Sequence, residues 1–199
     1  MSSSQQLLGR SVVVLGGISV GKSTAIQRFL GTDLNGRYQP TVKNIHSKRF
    51  KLSNVEYSLT ITDTAGQDET SLLDTSYVGS TDVYVIVFSL LFRKSFEIAQ
   101  VIRDKILDMS GLETVAMVLV GNKSDLPNER QVTRAEAEAL AKSFGCPYIE
   151  TSAKENLNIE DVFINSVQMA NRARGVGDES LDGAEGYDQG DDKSMCVVM

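Results

Sequence analysis

Little in this sequence points to metal-cluster chemistry or to a disulfide scaffold. It contains two cysteines, Cys146 and Cys196, and a single histidine, His46. Two cysteines do not make a disulfide framework, and Cys146 reads as a partly buried thiol in a reducing compartment. His46 has no cysteine or carboxylate at ligand spacing and reads as a surface histidine at the start of a strand. No apolar run approaches the length that crosses a bilayer. The opening Met1-Ser-Ser-Ser-Gln-Gln6 lacks the basic and apolar blocks of a secretory signal, and position 2 is not glycine, which removes N-myristoylation. A basic excess is also missing. Seven acids and one lysine follow Gly175, a surplus that equals the whole net charge of −6, so residues 1–174 are neutral. No basic face recruits nucleic acid.

What remains is a chain of 199 residues, enough for one well-buried domain and too short for two comfortable ones. Three apolar runs, Val12–Leu15, Val83–Leu91 and Val115–Val120, end in Gly, Ser or Asn. Continuous rather than alternating runs suit parallel strands covered on both faces. Phe50 and Leu52, then Tyr57, Leu59 and Ile61, alternate with polar residues around Ser53-Asn54, predicting a hairpin and hence an antiparallel edge. Helical stripes follow at Phe96, Ala99, Ile102, Ile106 and Met109, and at Ala137, Leu140, Ala141 and Phe144. The second of these opens on Thr133-Arg-Ala-Glu136, a capping box, and stops at Gly145. Val162, Phe163, Val167 and Ala170 mark a last helix after Asn158. The order β-α-β-β-α-β-α-β-α predicts a doubly wound α/β sheet with ligands beyond the carboxyl ends of its strands. After Arg174 the composition turns to Gly, Asp, Glu and Ser, a flexible linker by composition over residues 175–195.

Three loops at expected strand ends carry chemistry. Gly16-Gly-Ile-Ser-Val-Gly-Lys-Ser23 follows a strand and precedes a helix, the setting a phosphate-binding loop requires. Glycines let backbone N–H groups turn toward phosphate oxygens, and the helix N-terminus adds partial positive charge. Lys22 would bridge the β- and γ-phosphates and the Ser23 hydroxyl would ligate Mg²⁺. Alone, this motif gives a nucleoside triphosphate and not its base.

Asp63-Thr-Ala-Gly-Gln-Asp-Glu69 supplies the second loop. Asp63 is placed to hold the Mg²⁺ shell, the Gly66 N–H to approach a γ-phosphate, and Gln67 to orient an attacking water; the alternative is a solvated turn. Asn122-Lys-Ser-Asp125 supplies the third. The Asp125 carboxylate can accept from both N1–H and the exocyclic amine of guanine, donors that adenine lacks there, so adenine would leave a partly buried carboxylate unpaired at a cost of about 1–3 kcal/mol or more. Lys123 can lie along the base plane, and the backbone of Ser152-Ala-Lys154 can reach the guanine carbonyl.

Over residues 10–174 these motifs, with Thr41 in Tyr38-Gln-Pro-Thr-Val42, resemble the Ras superfamily of small GTPases in order and spacing. Within it the chain is most similar to the Rheb branch, through Asp63–Glu69, Lys94-Ser-Phe-Glu97, Leu107-Asp-Met109, Val118–Lys123, Thr151–Asn156 and Asp161-Val-Phe163. The resemblance implies a small G domain: a mostly parallel six-stranded sheet with one antiparallel edge strand and helices on both faces. It implies GTP and GDP with Mg²⁺ as ligands, bound through Gly16, Ser19, Val20, Gly21, Lys22, Ser23, Thr24, Leu34, Tyr38, Thr41, Gly66, Asn122, Lys123, Asp125, Ser152, Ala153 and Lys154. Ser23, Thr41 and Asp63 would hold the metal, and Gln67, Lys22 and Thr41 would serve hydrolysis. Two loops, about residues 36–46 and 64–78, would be ordered by GTP. The same resemblance implies a monomer, the target-of-rapamycin kinase complex as effector and a tuberin-type GTPase-activating protein.

Several features are this chain's own. Gln39 and Lys43 stand where the family usually carries acids, altering the expected effector loop. Leu34 stands where a phenylalanine usually covers the guanine, which implies faster nucleotide release. Leu72 and Leu73 read equally as an exposed patch or as anchors to the core. Asp68 and Glu69 read as solvated or partner-facing. Ile18 is not such a departure: it occupies a position near the γ-phosphate and Gln67 that is glycine in most of the superfamily but not in Rheb-like proteins, implying slow hydrolysis and resistance to arginine-finger activators unless the position is merely tolerant. The terminal Cys196-Val-Val-Met199 is a C-a-a-X sequence, implying farnesyltransferase as a partner and Cys196 as the lipidated residue. One prenyl chain anchors weakly, and the acids upstream oppose an anionic surface. The expected location is therefore cytoplasmic with loose residence on internal membranes such as lysosome, endoplasmic reticulum or Golgi. The expected organisation is a flexible N-terminus (1–9), a G domain (10–174) and an acidic tail (175–199). A GTP-bound scaffold with negligible turnover is the alternative function; a P-loop kinase or ATPase is disfavoured by the guanine-reading loop and the C-a-a-X terminus.

Overall fold

Alternating residues of each strand face opposite sides of a sheet, so a strand that is apolar at every position must be covered twice. That is how the sheet is built. The computed structural model describes residues 7–32 and 41–176. The chain runs through β1 (Leu7–Gly16), α1 (Lys22–Leu30), β2 (Lys43–Leu52), β3 (Val55–Thr64), β4 (Val83–Ser89), α2 (Arg93–Ser110), β5 (Met117–Asn122), α3 (Arg134–Phe144), β6 (Tyr148–Thr151) and α4 (Ile159–Ala173), with short 3-10 turns at Thr75–Tyr77 and Pro127–Glu129. Strand order is β2-β3-β1-β4-β5-β6. Every pairing is parallel except β2 with β3, the hairpin expected around Ser53-Asn54.

Val12 and Val14, Val83, Val85 and Val87, and Val118 and Val120 turn to one face, where α1 and α4 cover them with Ile26, Phe29, Phe163 and Val167. Val13 and Leu15, Tyr84, Ile86 and Phe88, and Met117 and Leu119 turn to the other, under Ile98, Ile102 and Ile106 of α2 and Ala137, Ala141 and Phe144 of α3. Phe29 of α1 stacks on Phe163 of α4 with centroids 3.8 Å apart, locking the first helix to the last. The doubly wound α/β architecture is as expected.

Two expectations need correction. The expected order has the four helices found but is one strand short: β4 follows β3 through a 3-10 turn, so the order is β-α-β-β-β-α-β-α-β-α. Between β3 and β4 the chain runs in turns whose side chains satisfy the backbone locally. Asp68 accepts hydrogen bonds from the N–H groups of Thr70 (2.9 Å) and Ser71 (2.7 Å), and Asp74 accepts from Ser76 N–H (2.9 Å). Residues that bond their own backbone favour turns over helix. Secondly, the loop expected over 36–46 is already strand from Lys43, because β2 pairs with β3 through the register Lys43–Thr64. Positions Leu34, Tyr38, Gln39, Pro40 and Cys196, and the tail from 177, lie outside the described residues. The capping box is present as expected: Glu136 N–H donates to Thr133 Oγ1 (3.3 Å) and Thr133 N–H returns to Glu136 Oε2 (2.9 Å).

Candidate nucleotide site

β1, β3 and β5 end at one edge of the sheet, and the three motif loops leave from those ends. The first loop is forced tight by contact with its neighbours. Gly16 has φ +147°, and a Cβ there would collide with the Val87 carbonyl oxygen of β4. Gly21 has φ +100° and its missing Cβ makes room for the Asn122 amide. Gly21 also begins α1 with no side-chain cap. The first-turn N–H groups are therefore left for whatever approaches the helix end, the arrangement that binds phosphate. Ser19 turns the loop in the left-handed region at φ +57°.

Lys22 is buried, and its ammonium donates to the carbonyls of Gly16 (3.0 Å) and Gly17 (2.8 Å). Burial pulls its pKa down to about 8, with the Asp63 charge opposing. Asp63, near the end of β3, is buried as well, and burial raises its pKa against the hydrogen bond from Ser23 and the charges of Lys22 and His46. Its Oδ1 atom is enclosed with no hydrogen-bond partner. The hydroxyls of Ser23 and Thr41 lie 2.9 Å apart beside it. A buried cation, an orphaned carboxylate oxygen and two adjacent hydroxyls fit a phosphate chain with a hard divalent cation, whose ligands are oxygens. Thr24 completes the first turn of α1, half-buried.

The second loop is laced to the first. Gln67 N–H donates to the Gly16 carbonyl (3.1 Å), and Gly17 and Gln67 form an isolated parallel bridge. Gly66 lies flat on Ile18: a Cβ on Gly66 would stand 2.6 Å from Ile18 Cα and 2.7 Å from its Cγ1. Ile18 itself is 60% exposed, so it forms a wall of the loop without filling the core. Gln67 is only 7% exposed and its Oε1 is enclosed without a partner. Its side chain is withdrawn from solvent, a burial that the sequence reading did not anticipate. The Leu72–Leu73 question resolves into one of each, with Leu72 95% exposed and Leu73 8%. Glu69 pairs with Lys94 of α2, and Lys105 donates to the carbonyls of Glu69 (2.7 Å) and Ser71 (2.8 Å).

The third loop is held by Asn122, the last residue of β5. Its amide donates to the Val20 carbonyl (2.8 Å), while its Oδ1 accepts from Thr151 Oγ1 (3.1 Å) and Ala153 N–H (3.0 Å). One buried side chain thus joins the phosphate loop to both base-side loops. Val20 contributes its backbone here while its side chain is core. Lys123 adopts φ +70°, which swings the chain so that Asp125 faces Ser152, whose hydroxyl donates to Asp125 Oδ1 at 2.7 Å. Lys154 Nζ lies 3.9 Å from Asp125 Oδ2. Arg28 of α1 was not singled out by sequence, yet it donates to the Ala153 carbonyl at 3.0 Å and the Lys154 carbonyl at 2.8 Å. Its only signal was a basic residue near the end of α1.

Every candidate residue that is described falls at this edge, and His46, half-buried on β2, bears on it only through its charge near Asp63. The family model described as Ras family matches residues 11–172.

The chain belongs to the Ras family.

Within that family it is of the Rheb type. It is 40% identical over 194 residues to GTP-binding protein Rheb of Bos taurus, covering 98% of this chain and 99% of that one. It is 40% identical over 163 residues to a GTP-binding protein Rheb homolog of Dictyostelium discoideum, covering 82% and 88% of the two chains. A GTP-binding protein Rheb homolog of Drosophila melanogaster is 39% identical over 154 residues, covering 77% and 85%. As a Ras-family small GTPase the chain has the small G domain fold.

Proposed function

We propose that this Ras-family protein binds GTP and GDP with Mg²⁺, hydrolyses GTP slowly, and acts as a membrane-associated signalling switch. The observation that carries the reading is the combination of a buried cation and carboxylate, Lys22 and Asp63, the latter with an unpartnered Oδ1, and a carboxylate poised for guanine, Asp125. Gly16 to Thr24 would cradle the phosphates, with Lys22 leaving its two carbonyls to meet them. Ser23, Thr41 and Asp63 would hold the metal ion, which supplies charge neutralisation on the β- and γ-phosphates. Asp125 and Lys123, with Ser152, Ala153 and Lys154, would fix guanine, and Leu34 and Tyr38 would close over the nucleotide.

Hydrolysis needs a water held in line with the γ-phosphate. Gln67 is the residue for that task, but its amide is enclosed, and Gly66 behind it rests on Ile18. The loop from Gly66 must therefore shift before Gln67 can act. Slow intrinsic turnover follows, as does poor response to an activator that inserts an arginine beside position 18. A tuberin-type activating protein, target-of-rapamycin kinase signalling, farnesylation at Cys196 and loose residence on internal membranes complete the reading, supported by the Rheb-type relatives and the C-a-a-X terminus.

The same enclosure of Gln67 favours one alternative, a GTP-bound scaffold with negligible hydrolysis. Single-turnover hydrolysis of bound GTP, with and without an activating protein, separates the two. Turnover raised by the activator supports the switch, and none under either condition supports the scaffold.

A further inference from the structure

On the edge of the sheet opposite the nucleotide loops, the end of α3 and the second half of α4 leave a groove of about 640 Å³ between them. Its lining combines Cys146 and Pro147 from the link into β6 and Met169 from α4 with the polar amides of Asn165 and Gln168. Lys142 and Arg172 stand at its rim, both exposed, and neither has an ion-pair partner among the described residues. Each also sits in the last turn of a helix, where a cation is favoured by the backbone dipole. That accounts for one cation per helix end, and leaves open what answers two of them at one groove.

The chain itself supplies the answer. Helix α4 closes in a Schellman arrangement: Gly175, at φ +64°, donates its N–H to the Arg172 carbonyl (3.1 Å), and Val176 N–H donates to the Asn171 carbonyl (3.0 Å). Such a cap turns the chain back along the helix it has just left. Arg174 is tied to Asp82 at the start of β4, so the exit point beside Arg172 is fixed. The next residues, 178–192, carry seven acids and no base.

We propose that this acidic segment, residues 178–192, docks on the groove between α3 and α4, its carboxylates answering Lys142 and Arg172. A tethered segment acts at roughly millimolar effective concentration, so an intrinsic Kd of about 0.1 mM keeps it docked about nine-tenths of the time. Docking holds the tail's negative charge against the protein and keeps the Cys196 end near the face opposite the nucleotide loops. The proposal is independent of what the nucleotide loops bind.

Cys146 in the groove floor reports on it. The full chain carrying Cys196→Ser leaves Cys146 as its one thiol, and its alkylation by neutral iodoacetamide is timed at low salt. Neutralising the seven acids to Asn or Gln should speed alkylation about 5–10-fold, the inverse of the undocked fraction. Lys142→Glu with Arg172→Glu should do the same, although removing two cations would by itself disfavour the reactive thiolate and slow the reaction. Raising NaCl to about 0.5 M should largely remove the protection in the unaltered groove, since it shortens the screening length to about 4 Å, the distance of a contact pair. Equal rates across these proteins would overturn the proposal. So would protection that grows with protein concentration, which would assign the groove to a second copy.

Discussion

Gly66 and Ile18 share a contact so close that a single methyl group on Gly66 would stand 2.6 Å from the Ile18 Cα. The two loops that flank the expected γ-phosphate position are therefore fitted to each other, and neither can be altered alone. Gly66→Ala should weaken binding of a GTP analogue about tenfold, while Ile18→Gly/Gly66→Ala should recover about half of that loss in free energy, because the substitution removes the Ile18 Cβ and Cγ1 contacts but keeps the Cα one. The coupling expected is therefore about 0.5–1 kcal/mol. Competition binding on the two single variants and the double variant gives the value, and strict additivity would remove Ile18 from the account of the site.

Asn122 satisfies three backbone or side-chain groups at once, on Val20, Thr151 and Ala153. Truncation leaves them buried and unpaired, at about 1 kcal/mol each. Asn122→Ala should lower unfolding stability by about 2–4 kcal/mol, moving the urea midpoint with little change in slope. Gly21→Ala should act in the same direction, since the new methyl enters the space of the Asn122 amide.

Much of this was legible beforehand. Apolar strands such as Val12–Leu15 and Val83–Ser89 announce burial on both faces, and the glycine loop, Asp63 and Asp125 fall at strand ends because a parallel sheet places its ligands there. What stayed hidden depends on contacts between distant segments. Leu72 and Leu73 are chemically alike and adjacent, and only the path of the loop exposes one and buries the other. Gln67 has the right identity at the right position, but whether its amide meets solvent is decided by the bridge to Gly17. Arg28 holds the base-side loop through carbonyls more than a hundred residues away. The path of the loop before β4 is set by hydroxyl and carboxylate bonds of Asp68, Ser71 and Asp74, which a polar pattern alone does not reveal.

Lys43 crosses between the two switch regions, donating to Asp74 Oδ2 at 3.1 Å and Ser76 Oγ at 3.0 Å, above the Tyr77 ring. Both charges are well solvated, so the pair contributes about 0.2–1 kcal/mol. Lys43→Ala should leave global stability within about 1 kcal/mol of the parent. Backbone amides of Ser76 to Val78 should nonetheless exchange with deuterium up to about fivefold faster, as local opening becomes easier. Unchanged exchange there would mean the bond is made without consequence.

Arg130 grips Glu150 with two bonds, 2.9 Å and 2.7 Å, and Tyr148 donates its hydroxyl to the same carboxylate at 3.0 Å. The Arg130 bonds outweigh burial and hold the Glu150 pKa below its ordinary 4.5, while burial drives the Tyr148 hydroxyl up. A carboxyl whose pKa is lower folded than unfolded stabilises the fold above the unfolded value and loses that effect as pH falls through the folded one. Glu150→Gln should therefore cost about 1–2 kcal/mol at neutral pH. The deficit should shrink steadily as pH drops below 4.5. A deficit that is constant with pH would assign the loss to packing and not to charge.

The most direct measurement is displacement of a bound fluorescent GDP by GTP and by ATP in the presence of Mg²⁺. A site that places Asp125 to accept from the donors of guanine should reject adenine by at least about a hundredfold, because the carboxylate would be left unpaired. Asp125→Ala should erase most of that discrimination. Displacement by ATP and GTP at equal concentrations, or a preference that survives loss of Asp125, would contradict the account.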